Sequence, residues 1–219
     1  MIDLRLYLVT DTALASRRGL VPTVRDAVDG GVTAVQLRDH TVGDEEFVML
    51  GRLLARALAG SGVPLVVDDR VHLVRAIGAA GAHVGQRDLP PLEARALLGT
   101  GAVLGLSCSS ADQVRSASEL PPGTADYLGL GPVWPTRSKP DHARPIGPDG
   151  LAELTRQASR AAMPTVAIGG IDASRTDEVM RAGVGGIAVV SAICASDRPA
   201  DAARDLRVRV DAARSGADR

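Results

Sequence analysis

Eight short apolar segments recur along the chain, and each is followed by a stretch with helical periodicity. The segments are rich in β-branched residues and are apolar almost throughout, as parallel strands buried on both faces are. Strands and helices that alternate in this way predict a (β/α)₈ barrel, the TIM-barrel architecture. We expect the strands at Leu6–Thr10, Ala34–Leu37, Leu65–Val67, Ala82–Val84, Val103–Leu106, Tyr127–Leu130, Thr165–Ile168 and Ile187–Val190.

The alternative fold for such a pattern is an open, doubly wound sheet. No G-x-G-x-x-G motif follows the first predicted strand, which weakens the dinucleotide-binding version of that fold. The low aromatic content of the chain also suits a barrel interior, which Val, Ile and Leu usually fill.

The sequence also predicts helix boundaries and the extent of the domain. An apolar stripe over residues 47–58 indicates a helix that starts near Asp44. Asp172 or Ser174 suits the N-cap of the next-to-last helix, and Gly183 suits its end. With 219 residues, 45% of them hydrophobic, the chain can bury one large core. We expect a single domain over residues 1–214 and a flexible C-terminal tail over residues 215–219.

Composition and charge exclude several classes of partner. The formal net charge is −1 and aromatic residues make up 2%, so the chain offers neither a basic surface nor a stacking platform for nucleic acid. No apolar run is long enough to span a bilayer, and the first residues show no signal-peptide pattern. Cys108 and Cys194 match no metal or redox spacing, which favours reduced thiols in the cytoplasm. We expect small-molecule partners, and the sequence leaves a homo-oligomer open.

Polar residues are concentrated directly after the predicted strands. In a barrel these positions meet at one end, where the active sites of such enzymes lie. The opposite ends of the strands carry mainly Gly, Ala, Thr and Pro, so this asymmetry predicts a functional site at the carboxyl ends. The polar residues at these positions are Thr10, Asp11, Gln36, Arg38, Asp39, His40, Asp68, Asp69, Arg70, Gln86, Arg87, Asp88, Ser107, Thr136, Arg137, Ser138, Lys139 and Ser191.

Two groups of these residues suit phosphate. Gly169, Gly170 and Ser191 follow strands seven and eight, where barrels often bind phosphate through backbone N–H groups. Arg38 and Lys139, the only lysine of the chain, can neutralise a second phosphate group. There is no His-Cys metal motif and no G-x-S-x-G motif, so the site suits the holding of a diphosphate and not the hydrolysis of an acyl bond.

Two carboxylates suit a metal ion. Asp69 and Asp88 offer the oxygen ligands that Mg²⁺ prefers, and Mg²⁺ commonly binds together with substrate phosphates. Structural alternatives exist, because both aspartates precede predicted helices and can serve as N-caps. The glycine pair after strand seven can be a tight turn only, and Arg38 can pair with Asp39 at the surface. We expect His83 to be a structural strand residue.

Several of these segments resemble the thiamine-phosphate synthase family, and the resemblance spans almost the whole chain. A weaker match, Ala167–Ile171, also occurs in many phosphate-binding barrels. The most specific matches are Val35-Gln-Leu-Arg-Asp39, Gly85-Gln-Arg-Asp-Leu-Pro90 and Gly129-Leu-Gly-Pro-Val-Trp-Pro-Thr-Arg-Ser-Lys-Pro-Asp141.

The resemblance implies that 4-amino-2-methyl-5-hydroxymethylpyrimidine diphosphate condenses with a thiazole phosphate to give thiamine phosphate and diphosphate. In this family diphosphate leaves first, and the thiazole nitrogen then captures a pyrimidine-methyl cation. The resemblance also implies three sets of site residues. They are Gln36, Arg38, His40, Asp68, Ser107 and Lys139 for the pyrimidine diphosphate, with Arg38, Ser107 and Lys139 as catalytic residues; Asp69 and Asp88 for Mg²⁺; and Thr136, Arg137, Ser138, Gly170, Val190 and Ser191 for the thiazole phosphate.

The chain departs from the family pattern at three places. The family has Lys at the position of His40, Asn-Asp at Asp68-Asp69, and Thr-His at Cys108-Ser109. Two other functions stay as alternatives: a thiazole tautomerase-like paralogue and a non-catalytic barrel that binds a thiamine precursor. Paired acidic ligands and a diphosphate-neutralising lysine favour the synthase over the tautomerase, which binds only the thiazole phosphate.

Overall fold

The apolar segments form eight parallel strands that close into a barrel in the order β1 to β8. The computed structural model describes residues 2–136 and 143–217. Each strand pairs with the next one along the chain and β8 pairs with β1, which confirms the predicted single-domain TIM barrel and excludes the open sheet. The strands are β1 Leu6–Val9, β2 Ala34–Leu37, β3 Leu65–Asp68, β4 Gly81–Val84, β5 Val103–Cys108, β6 Tyr127–Leu130, β7 Thr165–Ile168 and β8 Ile187–Val189.

Two strands extend further towards their carboxyl ends than their apolar residues predict. β3 includes Asp68, and β5 continues through Ser107. Asp68 lies opposite His83 on β4, and Ser107 lies opposite Gly129 on β6. The backbone of these two polar residues is therefore held by the strand ladder and not by a loop.

Helices follow the strands around the outside of the barrel. The helix predicted near Asp44 begins at that residue, and the described part of the predicted tail, residues 215–217, belongs to the last helix. No helix in the described part of the chain is long and apolar enough to cross a membrane. The helices are α1 Leu20–Asp29, α2 Asp44–Leu58, α3 Val74–Ile77, α4 Pro91–Leu98, α5 Ala111–Ser118, α6 Gly147–Arg160, α7 Ala173–Met180, α8 Ser191–Cys194 and α9 Pro199–Ala217, with a 3₁₀ turn at Val71–Leu73 before α3.

The core has two layers, because successive strand residues point to opposite sides of the sheet. Leu6 and Leu8 of β1 belong to the larger cluster, which the strands form with the helices. Tyr7 and Val9 belong to a smaller cluster that also includes Tyr127 and lies inside the barrel. Two tyrosines therefore occupy interior positions that aliphatic residues usually fill.

Asp172 caps α7, which decides between the two predicted caps. Its carboxylate accepts hydrogen bonds from the backbone N–H groups of Ser174 at 2.9 Å and Arg175 at 3.2 Å. The Ser174 hydroxyl donates to the same oxygen at 2.6 Å. This hydroxyl contact, together with the two backbone N–H groups, lowers the pKa of Asp172 below its usual range.

We expect Asp172→Ala to lower the free energy of unfolding by about 1 kcal/mol at neutral pH, the usual contribution of an N-cap. Because the folded-state pKa is depressed, this contribution is present above the unfolded-state pKa and is lost as the pH falls through the folded-state pKa. Urea unfolding of both proteins at neutral and acid pH measures the difference. Asp172→Asn, which keeps a capping acceptor, is the control. A difference that persists unchanged into acid pH would contradict the role of the carboxylate.

Candidate active site

The carboxyl ends of all eight strands surround one opening of the barrel, which we call the mouth, because the strands are parallel. The residues Arg137, Ser138 and Lys139 lie outside the described part of the chain. The other predicted site residues lie at or just after the strand ends, and they are Gln36, Arg38, His40, Asp68, Asp69, Asp88, Ser107, Thr136, Gly170, Val190 and Ser191.

Four of these side chains form a charged group at the ends of β2 and β3. Oδ2 of Asp68 lies 3.4 Å from Nε of Arg38 and 3.3 Å from Nε2 of His40. The same nitrogen of His40 lies 4.0 Å from Oδ2 of Asp69. Asp68 is buried, whereas half of the His40 side chain is exposed, so the group extends from the barrel interior to the solvent.

Asp68 is the largest influence on the charge of His40. The short contact with its carboxylate raises the pKa of the imidazole above the usual range, although burial and Arg38 act in the opposite direction. His40 therefore carries a positive charge up to a higher pH than a free histidine does. The alternative of a surface pair between Arg38 and Asp39 is wrong, since Asp39 is buried and accepts hydrogen bonds from the backbone N–H and hydroxyl of Thr41.

Asp69 has a left-handed backbone conformation, with φ at 56°, which few residues other than glycine adopt. Its N–H donates to the carbonyl of His83 at 2.9 Å, and its carbonyl accepts from the N–H of Val71 at 2.9 Å. These bonds hold the residue in a conformation that is usually disfavoured. As a result, two consecutive aspartates at the end of β3 belong to the same group as His40.

Neither predicted magnesium ligand is an N-cap, so the capping alternative is wrong. The 3₁₀ turn after Asp69 starts from Arg70, and α4 starts after Pro90, and neither start has a side-chain cap. Asp88 closes the loop after β4 instead, because its Oδ2 accepts a hydrogen bond from the N–H of Gly85 at 2.8 Å.

The carboxylates of Asp68 and Asp69 fit a hard divalent cation, whereas His40 does not ligate a metal in the protonated form that Asp68 favours. Ligand atoms of His40, Asp68 and Asp69 all lie within 4.8 Å of one another. Oδ2 of Asp68 is buried and makes no aligned hydrogen bond with the described residues, so it can accept a cation. Mg²⁺ prefers such carboxylate oxygens and completes its shell with water and phosphate oxygens. Asp88 does not belong to this compact group, so the carboxylate grouped with Asp69 in the structure is that of Asp68.

A tight left-handed turn follows β7, with φ at 104° for Gly169 and 66° for Gly170. A Cβ on Gly169 would lie 2.5 Å from Cβ of Pro132, and one on Gly170 would lie 2.8 Å from Cβ of Trp134. Only glycine meets both requirements, the conformation and the close approach to the segment after β6. The guanidinium of Arg175 donates to the Gly170 carbonyl at 2.6 Å and lies over the Trp134 ring, a contact that the sequence did not reveal.

The second predicted phosphate element lies beside this turn, because β7 and β8 are paired. Val190 precedes the four-residue helix α8, and Ser191 is the first residue of that helix. A glycine-rich turn after the seventh strand and a short extra helix after the eighth are the arrangement with which many barrels bind phosphate.

Gln36 and Ser107 are held from inside the barrel by side chains that the sequence did not assign to the site. Nε2 of Gln36 donates to the Tyr7 hydroxyl at 3.2 Å, and Oγ of Ser107 lies 2.9 Å from Nε2 of His83. His83 is a strand residue, as predicted, but it contacts a site residue directly. In the sequence, His83 is recognisable as the one polar residue within the apolar fourth strand. The register between β4 and β5 then places it near Ser107.

Known proteins are similar in sequence to this chain over nearly its full length. The family model described as thiamine monophosphate synthase matches residues 6–193. A thiamine-phosphate synthase from Azorhizobium caulinodans is 46% identical over 212 residues, with 97% of each chain covered. Another, from a Psychrobacter species, is 48% identical over 203 residues, with 93% of each chain covered. The chain belongs to the thiamine monophosphate synthase family.

Solved structures agree with membership of the thiamine monophosphate synthase family. A thiamine phosphate pyrophosphorylase from Pyrococcus furiosus matches with a TM-score of 0.85 at 33% identity, covering 96% of this chain and 97% of that one. The protein is therefore an enzyme, a transferase of thiamine biosynthesis. The family, fold and enzyme class predicted from the motifs are confirmed, and the tautomerase-like and non-catalytic alternatives are not favoured.

Two departures from the family pattern are in contact with each other. Where the resemblance leads us to expect a lysine and an asparagine, His40 and Asp68 have side chains that lie 3.3 Å apart. At these two positions the chain has an imidazole–carboxylate pair in place of the expected ammonium and amide. The two exchanges form one local change, in which the carboxylate favours the charged form of the histidine.

We expect Asp68→Asn to lower the pKa of His40 towards the usual range, because the carboxylate is the largest cause of the raised value. Histidine NMR signals followed through a pH titration without added metal measure the change. Asp112→Asn, the same chemical change at an exposed residue of α5, should leave the titration of His40 as it is. An unaltered His40 pKa in Asp68→Asn would show that the contact does not form in solution.

Proposed function

We propose that this chain joins 4-amino-2-methyl-5-hydroxymethylpyrimidine diphosphate to a thiazole phosphate, forming thiamine phosphate and diphosphate. The observation that carries the proposal is the presence, at one mouth, of two features that suit the binding of phosphate groups. One is the charged group that contains Arg38, His40 and Asp69, and the other is the glycine turn beside α8. The reaction needs two such regions, because one substrate carries a diphosphate and the other carries a phosphate.

The pyrimidine diphosphate is assigned to the side of the mouth formed by β2, β3 and β5. Arg38 supplies a fixed guanidinium, which suits paired contacts to phosphate oxygens. His40, whose pKa Asp68 raises, supplies a second cation up to a higher pH than a free histidine would. Asp68 can accept a hydrogen bond from the pyrimidine amino group or extend the metal site. The full set is Gln36, Arg38, His40, Asp68, Ser107 and Lys139.

Asp69 and Asp88 are the residues that would hold Mg²⁺, and Asp68 extends this donor set. The support is chemical, since carboxylate oxygens at the mouth match the preference of Mg²⁺ for oxygen ligands and substrate phosphates. When bound, Mg²⁺ would neutralise negative charge on the diphosphate and make it a better leaving group.

The thiazole phosphate is assigned to the side of the mouth formed by β6, β7 and β8. The left-handed turn at Gly170 leaves the backbone free of a Cβ, so that an anion can approach the N–H groups closely. Arg175, which donates to the Gly170 carbonyl, holds this turn in place. The full set is Thr136, Arg137, Ser138, Gly170, Val190 and Ser191.

The chemical step transfers the pyrimidine-methyl group from oxygen to nitrogen. The C–O bond breaks and its electron pair leaves with diphosphate, after which the lone pair of the thiazole nitrogen forms the new C–N bond. Arg38, Ser107 and Lys139 are the proposed catalytic residues, because they can stabilise the charge that develops on the departing diphosphate. No protein nucleophile is required, and burial raises the pKa of the neighbouring Cys108 thiol to about 12, which keeps it protonated at neutral pH.

We propose that this reaction takes place in the cytoplasm and involves small molecules only. Cys108 and Cys194 are both buried and unpaired, as cysteines of reducing compartments are. A net charge of −1 provides no general attraction to nucleic acid. The homo-oligomer that the sequence leaves open stays a prediction.

Replacement of Asp69 or Asp88 by Ala should reduce Mg²⁺-dependent diphosphate release by roughly a hundredfold or more, the usual effect of losing one preorganised electrostatic contact. The fold should persist, because neither side chain belongs to the apolar core and the left-handed backbone at position 69 costs alanine only about 1–2 kcal/mol. Diphosphate release measured across a Mg²⁺ titration tests this, with Asp112→Ala on α5 as the control. Full activity of Asp88→Ala would leave that residue with only its loop-closing bond to Gly85.

Lys139 is the only lysine in a chain that otherwise uses arginine, which suggests that a compact ammonium is required there. We expect Lys139→Ala to raise the barrier by about 3 kcal/mol, or to lower kcat roughly a hundredfold, with little change in melting temperature. Lys139→Arg should restore only part of the rate, because it restores the charge but not the shape. Wild-type turnover by Lys139→Arg would refute the geometric requirement, and wild-type turnover by Lys139→Ala would remove Lys139 from the chemistry.

A further inference from the structure

A continuous chain of hydrogen bonds crosses the barrel interior beneath the mouth. Nε2 of Gln36 lies 3.2 Å from the hydroxyl of Tyr7, which lies 3.0 Å from the hydroxyl of Tyr127. That hydroxyl lies 3.0 Å from Nδ1 of His83, whose Nε2 lies 2.9 Å from Oγ of Ser107. We call the three middle residues, Tyr7, Tyr127 and His83, the relay. It joins two residues that the proposed function places against the pyrimidine substrate.

The barrel makes room for the relay with two glycines. A Cβ on Gly105 would lie 2.2 Å from Cζ of Tyr127 and 2.4 Å from Nδ1 of His83. A Cβ on Gly129 would lie 3.1 Å from Cε1 of His83. Interior positions of a barrel are usually filled by branched apolar residues. Here two strands have glycine at the level where the three polar rings pack, so the barrel interior has space for the relay.

The hydrogen bonds of the relay have a direction. The amide nitrogen of Gln36 donates to the Tyr7 oxygen, and we infer that the Tyr7 hydroxyl in turn donates its proton to Tyr127. Tyr127 then donates to Nδ1 of His83, which places the imidazole proton on Nε2, where it is donated to Ser107. Burial raises the pKa of both tyrosines well above the usual range, so each keeps the proton that the relay requires.

This direction determines which hydrogen-bonding groups Gln36 and Ser107, at the two ends of the series of hydrogen bonds, offer to a ligand. Gln36 uses its amide nitrogen in the relay, which leaves the amide oxygen as its acceptor. Ser107 accepts from His83, which leaves its hydroxyl proton to be donated. An acceptor suits an amino group on a heterocycle, and a donor suits an anionic oxygen of a diphosphate.

We propose that Tyr7, Tyr127 and His83 are positioning residues, which set Gln36 as an acceptor for the pyrimidine amino group and Ser107 as a donor to the departing diphosphate. The inference rests on the proposed function, because it takes Gln36 and Ser107 as contacts of the pyrimidine substrate. In this proposal the relay is assigned no contact with either substrate. It acts by fixing the orientation of two polar groups before the substrate binds, which avoids their reorganisation during the reaction.

NMR of the histidine ring nitrogens in the wild-type protein, without substrate, tests the direction of the relay. We expect a neutral His83 ring with its proton on Nε2 and with Nδ1 as the acceptor. Tyr127→Phe should change this pattern, because it removes the hydroxyl that donates to Nδ1. A neutral His83 with its proton on Nδ1 in the wild type would donate to Tyr127 and accept from Ser107, and this would overturn the proposal.

Kinetics test the effect on the reaction. Tyr127→Phe keeps the ring and removes the link, so kcat should fall roughly tenfold, less than the approximately hundredfold loss typical of deleting a donor itself. KM for the thiazole phosphate should not change, because that substrate is assigned to the other side of the mouth. Thr176→Val on α7 removes a buried hydroxyl that donates to the Asp172 carbonyl, away from the relay, and should turn over like the wild type.

Two substitutions of His83 separate positioning from packing. The amide of His83→Gln offers one acceptor and one donor and should retain kcat within about threefold of the wild type. His83→Leu fills similar space without either group and should lose tenfold or more, in line with a lost preorganised contact. Wild-type activity of His83→Leu would show that His83 only fills space, and would overturn the proposal.

The outcomes distinguish the relay from the function on which it rests. If the wild-type enzyme releases no diphosphate from the two substrates with Mg²⁺, the proposed function fails, and the assignment of the relay to those substrates fails with it. If the wild type is active and Tyr127→Phe keeps full kcat, the relay alone is refuted. An active wild type with Nε2–H on His83 and an impaired Tyr127→Phe supports both.

Discussion

The hydrogen-bonded pairing of β1 with β8 is the constraint on which the rest of the structure depends. Leu6, Tyr7 and Leu8 pair in register with Ile187, Ala188 and Val189, so the sheet has no free edge. Closure places strand ends that are far apart in sequence around one opening. The charged group after β2 and β3 and the glycine turn after β7 share a mouth only because the sheet is closed.

The interior of the barrel supports the site from below with polar side chains. Polar groups in a low-dielectric interior are costly unless they are hydrogen-bonded, and a fully bonded network becomes rigid. Tyr7, Tyr127 and His83 meet this requirement through bonds to one another and to Gln36 and Ser107. The same layer that completes the core thereby limits the orientations of two side chains at the mouth.

The charged group depends on the contacts that Asp68 makes. Asp68 lies between Arg38 and His40 and favours the charged form of the histidine. The carboxylate also adds an oxygen beside Asp69 that a hard cation can use. One residue thus contacts both cations of the group and adds to its oxygen donors.

The sequence by itself determined the fold and predicted where the site lies. Strands that are buried on both faces must be apolar throughout, so their segments predict each strand to within two residues. Polar residues after those segments predict the mouth, because parallel strands end on the same side.

Only the tertiary structure decided which of these residues meet. The contact of His83 with Ser107 joins positions 24 apart, and it depends on the register between strands. The left-handed φ of Asp69 depends on bonds to His83 and Val71. Local sequence records the preference of each residue for strand, helix or turn, whereas these contacts arise only when the closed barrel brings distant residues together.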